Sequence, residues 1–401
     1  MLEAFIYDGL RTPIGRHAGK LAPVRPDDLA AEVIREVVAR NQVEPAEISD
    51  VVLGCVNQAG EDCRNVARFS ALLAGLPTPG VTVNRLCASG LQAVVDAARA
   101  VTCGEGDLYI AGGVESMSRA PYVMGKSDSP YSRDVKLYDT TIGARFPNGK
   151  FVKQFGSHSM PETGDNVAKD FGITREQADA FALASQQKYA TAEKEGFYKG
   201  EIHAVALPAK KKDSPQEVIS LDEHPRRDST LESLARLKPL FEGGVVTAGN
   251  ASGVNDGAAA LVIASRSWGI KKNKKPLAKI LAAASAGVEP RVMGVGPAYA
   301  IPRALERANL KLSDMDIIEI NEAFASQVLG CLKLMKLDLE DSRVNPNGGA
   351  IAIGHPLGAS GARLALTVAR ELQQSGARYA AVSLCIGVGQ GLAVILERVQ
   401  Q

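Results

Sequence analysis

The chain has 401 residues, more than one ordinary core holds, so two or three core units are expected. Hydrophobic residues make up 45% and charged residues 23%, the balance of a soluble globular protein. A net charge of +1 excludes the basic surplus of a nucleic-acid binder, and no apolar run reaches the roughly 18 residues of a membrane helix. The first residues, MLEAFIYDGLRTP, carry an acid at position 3 and no basic leader, and the last, ERVQQ, are no peroxisomal address. A cytoplasmic protein is the expectation, with neither a nucleic-acid nor a membrane partner. Cysteines stand at 55, 63, 87, 103, 331 and 385 with no Cys-x-x-Cys pair, so no metal site is expected and the thiols read as free. The default for each is a small buried hydrophobe, Cys103 included.

Taken in chain order, residues 50–55 (DVVLGC) read as an acidic turn entering a strand. Then NRLCASG, 84–90, precedes a helix predicted over 91–103, a polar turn and an apolar strand from 108. Residues 120–245 differ in texture, with a helix-like stretch over 174–195 and a polar region over 210–228. They read as an insertion, closed by an apolar return at 245–264. The lysines around 271–275 read as a solvated linker. A second acidic turn and strand follow at 316–321, then NPNGGAIAIGHPLGAS (345–360), a helix over 362–374, a strand from 379 and another over 392–396. Segments 88–116 and 359–387 share this layout at a constant offset, each opening on Ala-Ser-Gly. The chain therefore reads as a duplicated α/β domain: 1–119 with 246–273 as one half, 274–401 as the other, and 120–245 inserted. Strand, helix and strand in one sheet imply right-handed parallel crossovers.

Three residues fall where chemistry gathers. Cys87 precedes a helix, where free backbone N–H groups and the positive dipole end favour a thiolate. His355 sits in a Gly/Pro-punctuated loop that no regular helix or central strand accommodates. Cys385 lies at a strand end, matching Val114 in the first half, followed by glycines that let backbone N–H groups reach a ligand. GVGQG at 387–391 leads into a strand and is no dinucleotide fingerprint. Gly349 and Gly354 have P-loop spacing but lack the Lys-Ser/Thr that should follow.

These stretches together resemble the thiolases, acetyl-CoA acyltransferases. The resemblance runs the length of the chain: RTPIG (11–15), NRLCASG (84–90), GGVESMS (112–118), VTAGNASGVNDG (246–257), NEAF (321–324), NPNGG (345–349), GHPLG (354–358) and CIGVG (385–389). It implies two pseudo-symmetric β/α/β/α/β/α/β/β halves in a layered α-β-α-β-α core, with an inserted loop domain that binds CoA and substrate. It implies Cys87 as the acyl-carrying nucleophile, His355 as its activating base, and Cys385 as a second acid/base at the α-carbon of acetyl-CoA. Asn321 would hold a water that forms one oxyanion hole with His355, and the N–H groups of Cys87 and Gly387 would form the other. Coenzyme A would be a co-substrate with no resident cofactor, Arg226 lying along its adenine and Ser233 and Ser252 facing it. Ala248 and Phe324 would line the tunnel, with Met160 near the thioester. A homodimer or homotetramer is implied.

Within the family, residues 60–68, 159–168 and 290–294 look most like the branch that cleaves 3-oxoadipyl-CoA to acetyl-CoA and a shortened acyl-CoA. Its terminal carboxylate calls for a cation, with Arg145 or His158 as candidates. Ala144 stands where that branch usually has a bulky aromatic, and His158 near where it often has Asp. A general 3-oxoacyl-CoA or acetoacetyl-CoA thiolase is the alternative. A ketoacyl synthase, which typically lacks the second cysteine, is disfavoured by Cys385 with NEAF. A non-catalytic acyl-CoA carrier is disfavoured by the intact Cys87, His355 and Cys385.

Overall fold

The computed structural model describes residues 1–209 and 215–400; the predicted polar region over 210–228 therefore lies partly outside the described residues. The first half runs β1 (Ala4–Arg11), α1 (Pro26–Arg40), β2 (Asp50–Gly54), α2 (Val66–Leu73), β3 (Gly80–Val83), α3 (Ser89–Cys103) and β4 (Leu108–Ser116). An excursion holding α4 (Met160–Phe171) and α5 (Arg175–Lys194) precedes β5 (Asn255–Ala264). The second half repeats the order: β6 (Ala278–Gly287), α6 (Gly296–Ala308), β7 (Ile317–Ile320), α7 (Ala325–Met335), the one-turn α8 (Ala350–Ile353), α9 (Leu357–Ser375), β8 (Tyr379–Ile386) and β9 (Gln390–Arg398). Helices 91–103 and 362–374 of the sequence reading are α3 and α9, each starting a little earlier.

The strands form one sheet in the order β7-β8-β9-β6-β1-β5-β4-β2-β3, with the two-residue strand Gly15–Arg16 added on β5. Within each half the inner pairs are parallel (β2 with β3 and β4; β7 with β8) and the last two strands run antiparallel. The halves join where β1 meets β6 at Ala4–Ile280, Phe5–Lys279 and Ile6–Ala278. Period-2 alternation assigns each strand's two faces to different cores. Ala259, Leu261 and Ile263 of β5 face α3 and α9 together with β8 and β9, while Ala258, Ala260 and Val262 face α1 and α2. Opposite faces of β8 and β9 contribute Ala381, Ala393 and Ile395 to a third core under α6 and α7. The outcome is five layers, α-β-α-β-α, with α3 and α9 in the middle.

The second half departs from the expected repeat in one strand. The counterpart of β3 is reduced to a bridge between Ile318 and Val344. Asn345 follows in a left-handed conformation, φ 46°, and its side chain takes over the ladder: Oδ1 accepts from Ile320 N at 2.8 Å and Nδ2 donates to Ile320 O at 2.9 Å. Pro346 cannot donate to a ladder at all. The insertion is fastened to β1 by a buried ion cluster. Arg11 donates to Glu201 at 2.6 Å and to both oxygens of Asp222 at 2.7 and 2.9 Å, and Tyr189 donates to Asp222 at 3.0 Å. The predicted return at 245–264 becomes a strand only from Asn255. In the linker, Lys272 pairs with Glu47 at 2.9 Å and Lys274 donates to Asn41 at 3.2 Å, so these lysines fasten it to the first half.

Two cysteines correct the default reading. Cys103 is exposed, because α3 ends there at a left-handed Gly104, and Cys63 is exposed in a loop with φ 50°. Cys55 and Cys331 are buried as expected.

The central layer tolerates no extra atom. A β-carbon on Gly90 of α3 would stand 2.5 Å from the Gly358 carbonyl oxygen of α9, and one on Gly113 of β4 would stand 1.9 Å from the same oxygen. Gly90→Ala is expected to lower stability by about 1–3 kcal/mol through overpacking. The measurement is urea unfolding, with the midpoint shifted and the slope unchanged.

Candidate active site

The two middle helices carry the site at their N-terminal ends. Cys87 lies two residues before α3, after Leu86 in a left-handed conformation of φ 46° that turns the chain sharply from β3 into the helix. His355 lies two residues before α9, and Cys385 near the end of β8. The close packing of α3 on α9 brings these ends together although they are far apart in sequence.

Cys87 keeps some accessible surface, yet its sulfur is surrounded by protein. The backbone N–H groups of Gly387 and of Cys87 itself face the sulfur and favour its anion, but desolvation outweighs them, with Glu115 adding repulsion. The thiol is pushed up to about 11. This corrects the expectation from helix position: in the free protein Cys87 rests as a thiol. Burial, with the nearby Cys87 and Cys331 sulfurs, holds Cys385 well above the ordinary thiol range too.

His355 is buried and brought down to about 3 by desolvation and by the positive charge of Arg363. Its tautomer follows from its neighbours. Ser360 Oγ donates to the Pro356 carbonyl at 2.8 Å, so it accepts from His355 Nδ1 at 2.7 Å. Nδ1 therefore carries the proton and Nε2 is the free lone pair. Asn321 Nδ2 lies 3.4 Å from Nε2, a long contact, and the buried Asn321 Oδ1 has no partner among the described residues.

The loop bearing His355 hangs on buried side chains. Asn255 Oδ1 accepts from His355 N at 2.8 Å, and its Nδ2 donates to Gly15 O at 2.9 Å. Glu322 accepts from Ile351 N at 3.1 Å, Ser185 Oγ at 2.7 Å and Asn345 Nδ2 at 2.9 Å. Glu115 accepts from Gly358 N at 2.9 Å. Glu115, Asn255, Glu322 and Asn345 lie within the thiolase-like stretches, where the sequence alone assigned them no role. The available signal was a carboxylate inside an otherwise apolar strand, LYIAGGVES.

Of the other predicted residues, Phe324 and Met160 pack with Cys385, Val246 and Met293 in one apolar cluster, and a β-carbon on Gly387 would stand 3.9 Å from Met160 Sδ. Ser252 donates its N–H to the Ala323 carbonyl at 2.9 Å, and Ala251 bridges to Phe324, so this segment adjoins the cluster; Ala248 is exposed. Ser233 is exposed and already engaged as the N3 residue of the short helix Leu231–Ala235, its Oγ donating to Thr230 O at 2.8 Å. Arg226 is exposed, its backbone held by Gln186 at 2.9 Å. Its charge, after burial, helps bring His224 down to about 4. Neither Ser233 nor Arg226 joins the inner cluster. Arg145 is half-buried near Asp62, whereas His158 is exposed beside Glu162.

Among the described residues no helix is long and apolar enough to cross a membrane. Family models match most of the chain: "Thiolase, N-terminal domain" over residues 4–267 and "Thiolase, C-terminal domain" over residues 274–398. A 3-oxoadipyl-CoA/3-oxo-5,6-dehydrosuberyl-CoA thiolase of Escherichia coli is 58% identical over 100% of both chains, and a beta-ketoadipyl-CoA thiolase of Acinetobacter baylyi 56% over 100% of both. The crystal structure of the Bacillus anthracis acetyl-CoA acetyltransferase superposes with a TM-score of 0.92 at 39% identity, covering 100% of this chain and 99% of that one. Human mitochondrial 3-ketoacyl-CoA thiolase in complex with CoA gives 0.90 at 39% identity, with 99% and 98% covered. Two helix N-termini presenting a thiol and a neutral imidazole, a second buried thiol beside them, and these full-length likenesses lead to one conclusion: the chain belongs to the thiolase family of acyltransferases.

Proposed function

We propose that the protein cleaves 3-oxoadipyl-CoA with free CoA, through an acyl thioester on Cys87. The observation that carries the chemistry is the Cys87 sulfur, faced by the Gly387 and Cys87 N–H groups and neighboured by the Cys385 thiol. Full-length relatives named for this substrate, at 58% and 56% identity, support the substrate.

Cys87 attacks the 3-oxo carbon while its proton passes to His355 Nε2. With the thiol at about 11 and the imidazole at about 3, a resting ion pair is disfavoured, so proton transfer accompanies attack. The new alkoxide needs preplaced donors in a dry site. The two backbone N–H groups at Cys87 meet that need. Rupture of the C2–C3 bond expels the acetyl-CoA enolate, whose oxygen is met by protonated His355 and a water on Asn321; the orphaned Asn321 Oδ1 supports that water. Cys385 donates its proton to the enolate carbon. Free CoA then attacks the acyl-Cys87 thioester, its thiol proton returning to Cys385. The departing Cys87 sulfur regains its proton from His355. Two half-reactions through a covalent intermediate give ping-pong kinetics.

CoA would enter past Ser252 and Ala248, with Arg226 and Ser233 at the outer end. Arg145 is the better cation for a distal carboxylate than His158. Its segment is tied to the catalytic region through Thr140, which accepts from Asn57 Nδ2 at 3.0 Å, and Asn57 N is held by Glu115 at 2.9 Å. Exposed Phe69, Leu72 and Leu73 on α2, beside the sheet-edge strand β3, support a homo-oligomer.

Purified protein is expected to show a higher kcat/KM on 3-oxoadipyl-CoA than on acetoacetyl-CoA, and Cys87→Ser to abolish both. Preference for acetoacetyl-CoA would favour the general-thiolase reading, which a 44% identical acetyl-CoA acetyltransferase of Allochromatium vinosum keeps in view. Arg145→Ala is expected to raise KM about tenfold or more for 3-oxoadipyl-CoA and leave acetoacetyl-CoA unaffected, as for loss of a charge-assisted contact. Asn321→Ala, which removes one oxyanion support, should lower kcat about 10²–10³-fold in steady-state assays. Because His355 is held near 3 in the fold and titrates near 6.5 when unfolded, the unfolded chain binds the extra proton between those values. This group therefore removes stability as pH falls from about 6.5 to about 3, and His355→Gln should flatten that loss in urea titrations across the window.

A further inference from the structure

One buried carboxylate joins the two halves beside the catalytic pair and takes no part in the chemistry above. Glu115, at the end of β4 in the first half, is 2% exposed. Its Oε1 accepts from Asn57 N at 2.9 Å, and its Oε2 accepts from Val56 N at 3.0 Å and from Gly358 N at 2.9 Å. Gly358 is the second residue of α9, three positions after His355. No side chain intervenes: a β-carbon on Gly358 would meet the Val114 and Gly54 carbonyl oxygens at 2.3 and 2.7 Å. The ends of β2 and β4 and the start of α9 are thus packed backbone to backbone around this one carboxylate. Asn255, at the start of β5, makes the companion contact to His355 N.

We infer that Glu115 is a positioning residue for the thiolase reaction: it registers the His355-bearing helix of the second half against the Cys87 site of the first, with Asn255 as its partner in that task. The inference rests on the reading of Cys87 and His355 as the reacting pair. Both oxygens of Glu115 accept backbone N–H groups, so the side chain at this position must be an acceptor at both ends. Glutamine keeps the shape but turns an NH2 group toward an N–H, losing either the Asn57 bond or the Val56 and Gly358 bonds. The carboxylate also repels charge on the Cys87 sulfur. The titratable groups that face it are Cys55 just after β2, Asp62 in the loop beyond and Cys87; β5 pairs with it through Gly257, and the neighbouring Asp256 is turned to Ser118, accepting from its N–H and hydroxyl.

The test compares Glu115→Gln and Asn255→Ala with wild type, alongside Cys87→Ser and His355→Ala. Steady-state thiolysis is measured together with the pH dependence of Cys87 alkylation by iodoacetamide, followed on the Cys87 peptide. Glu115→Gln is expected to lower kcat about 10²-fold, the scale of a 1 Å misplacement, while the KM for CoA moves less than about threefold. Its alkylation limb should shift to lower pH, because a nearby negative charge is gone. Asn255→Ala should lower kcat with no shift of that limb, and it carries the test if Glu115→Gln does not fold. A kcat within about threefold of wild type in either variant overturns the inference. So does a slowed Glu115→Gln whose alkylation limb has not moved, since general loosening would do the same. Full activity in Cys87→Ser or His355→Ala would instead overturn the reading of the reacting pair.

Discussion

The arrangement of the candidate site depends on how closely α3 and α9 approach each other between the sheet portions of the two halves. At Gly90, Gly113 and Gly358 the backbones touch, with room for no side chain. That contact sets two helix N-termini, one from each half, side by side. The residues that precede them, Cys87 and His355, acquire their spacing from it. The same dense packing excludes water, and this exclusion governs the electrostatics. Helix dipoles and N–H groups favour a thiolate, but desolvation of the sulfur wins, as it does for the imidazole. The resting site is therefore a neutral thiol and a neutral imidazole.

A duplicated fold used in this way divides its labour asymmetrically. At the same junction one half ends β3 in a full strand and presents a cysteine. The other reduces that strand to one bridge, uses Asn345 to stand in for the missing ladder, and gains the glycine- and proline-rich loop that carries His355. A loop of this kind has little regular hydrogen bonding of its own. Glu322, Asn255 and Glu115 supply it, two of them from the first half, so the His355 loop is held in part by the half that carries Cys87.

The insertion is tied to the core at several points. Its long α5 buries Tyr189 against the Arg11–Asp222 pair and brings Ser185 to Glu322, so the insertion is anchored to both halves. Arg226, Ser233 and Ala248 are exposed, while Phe324 and Met160 pack with Cys385 inside. Ser233 illustrates how little a residue's position in a motif says about its availability, since its hydroxyl is engaged in capping a short helix.

The sequence by itself determined the duplication and the α/β class, and it singled out Cys87, His355, Cys385 and Asn321 as candidates. Periodicity and glycine placement are local properties, and each of those residues sits at a punctuation point that breaks a regular pattern. Only the tertiary structure decided what depends on neighbours remote in the chain. It made Cys87 a thiol rather than a thiolate, because burial is a property of the assembled layers. It chose the His355 tautomer, through Ser360 and the Pro356 carbonyl. It left Cys103 on the surface, because a helix end is where packing stops. And it gave Glu115, an odd acid in an apolar strand, three backbone donors from two other segments, a juxtaposition that no spacing along the chain can announce.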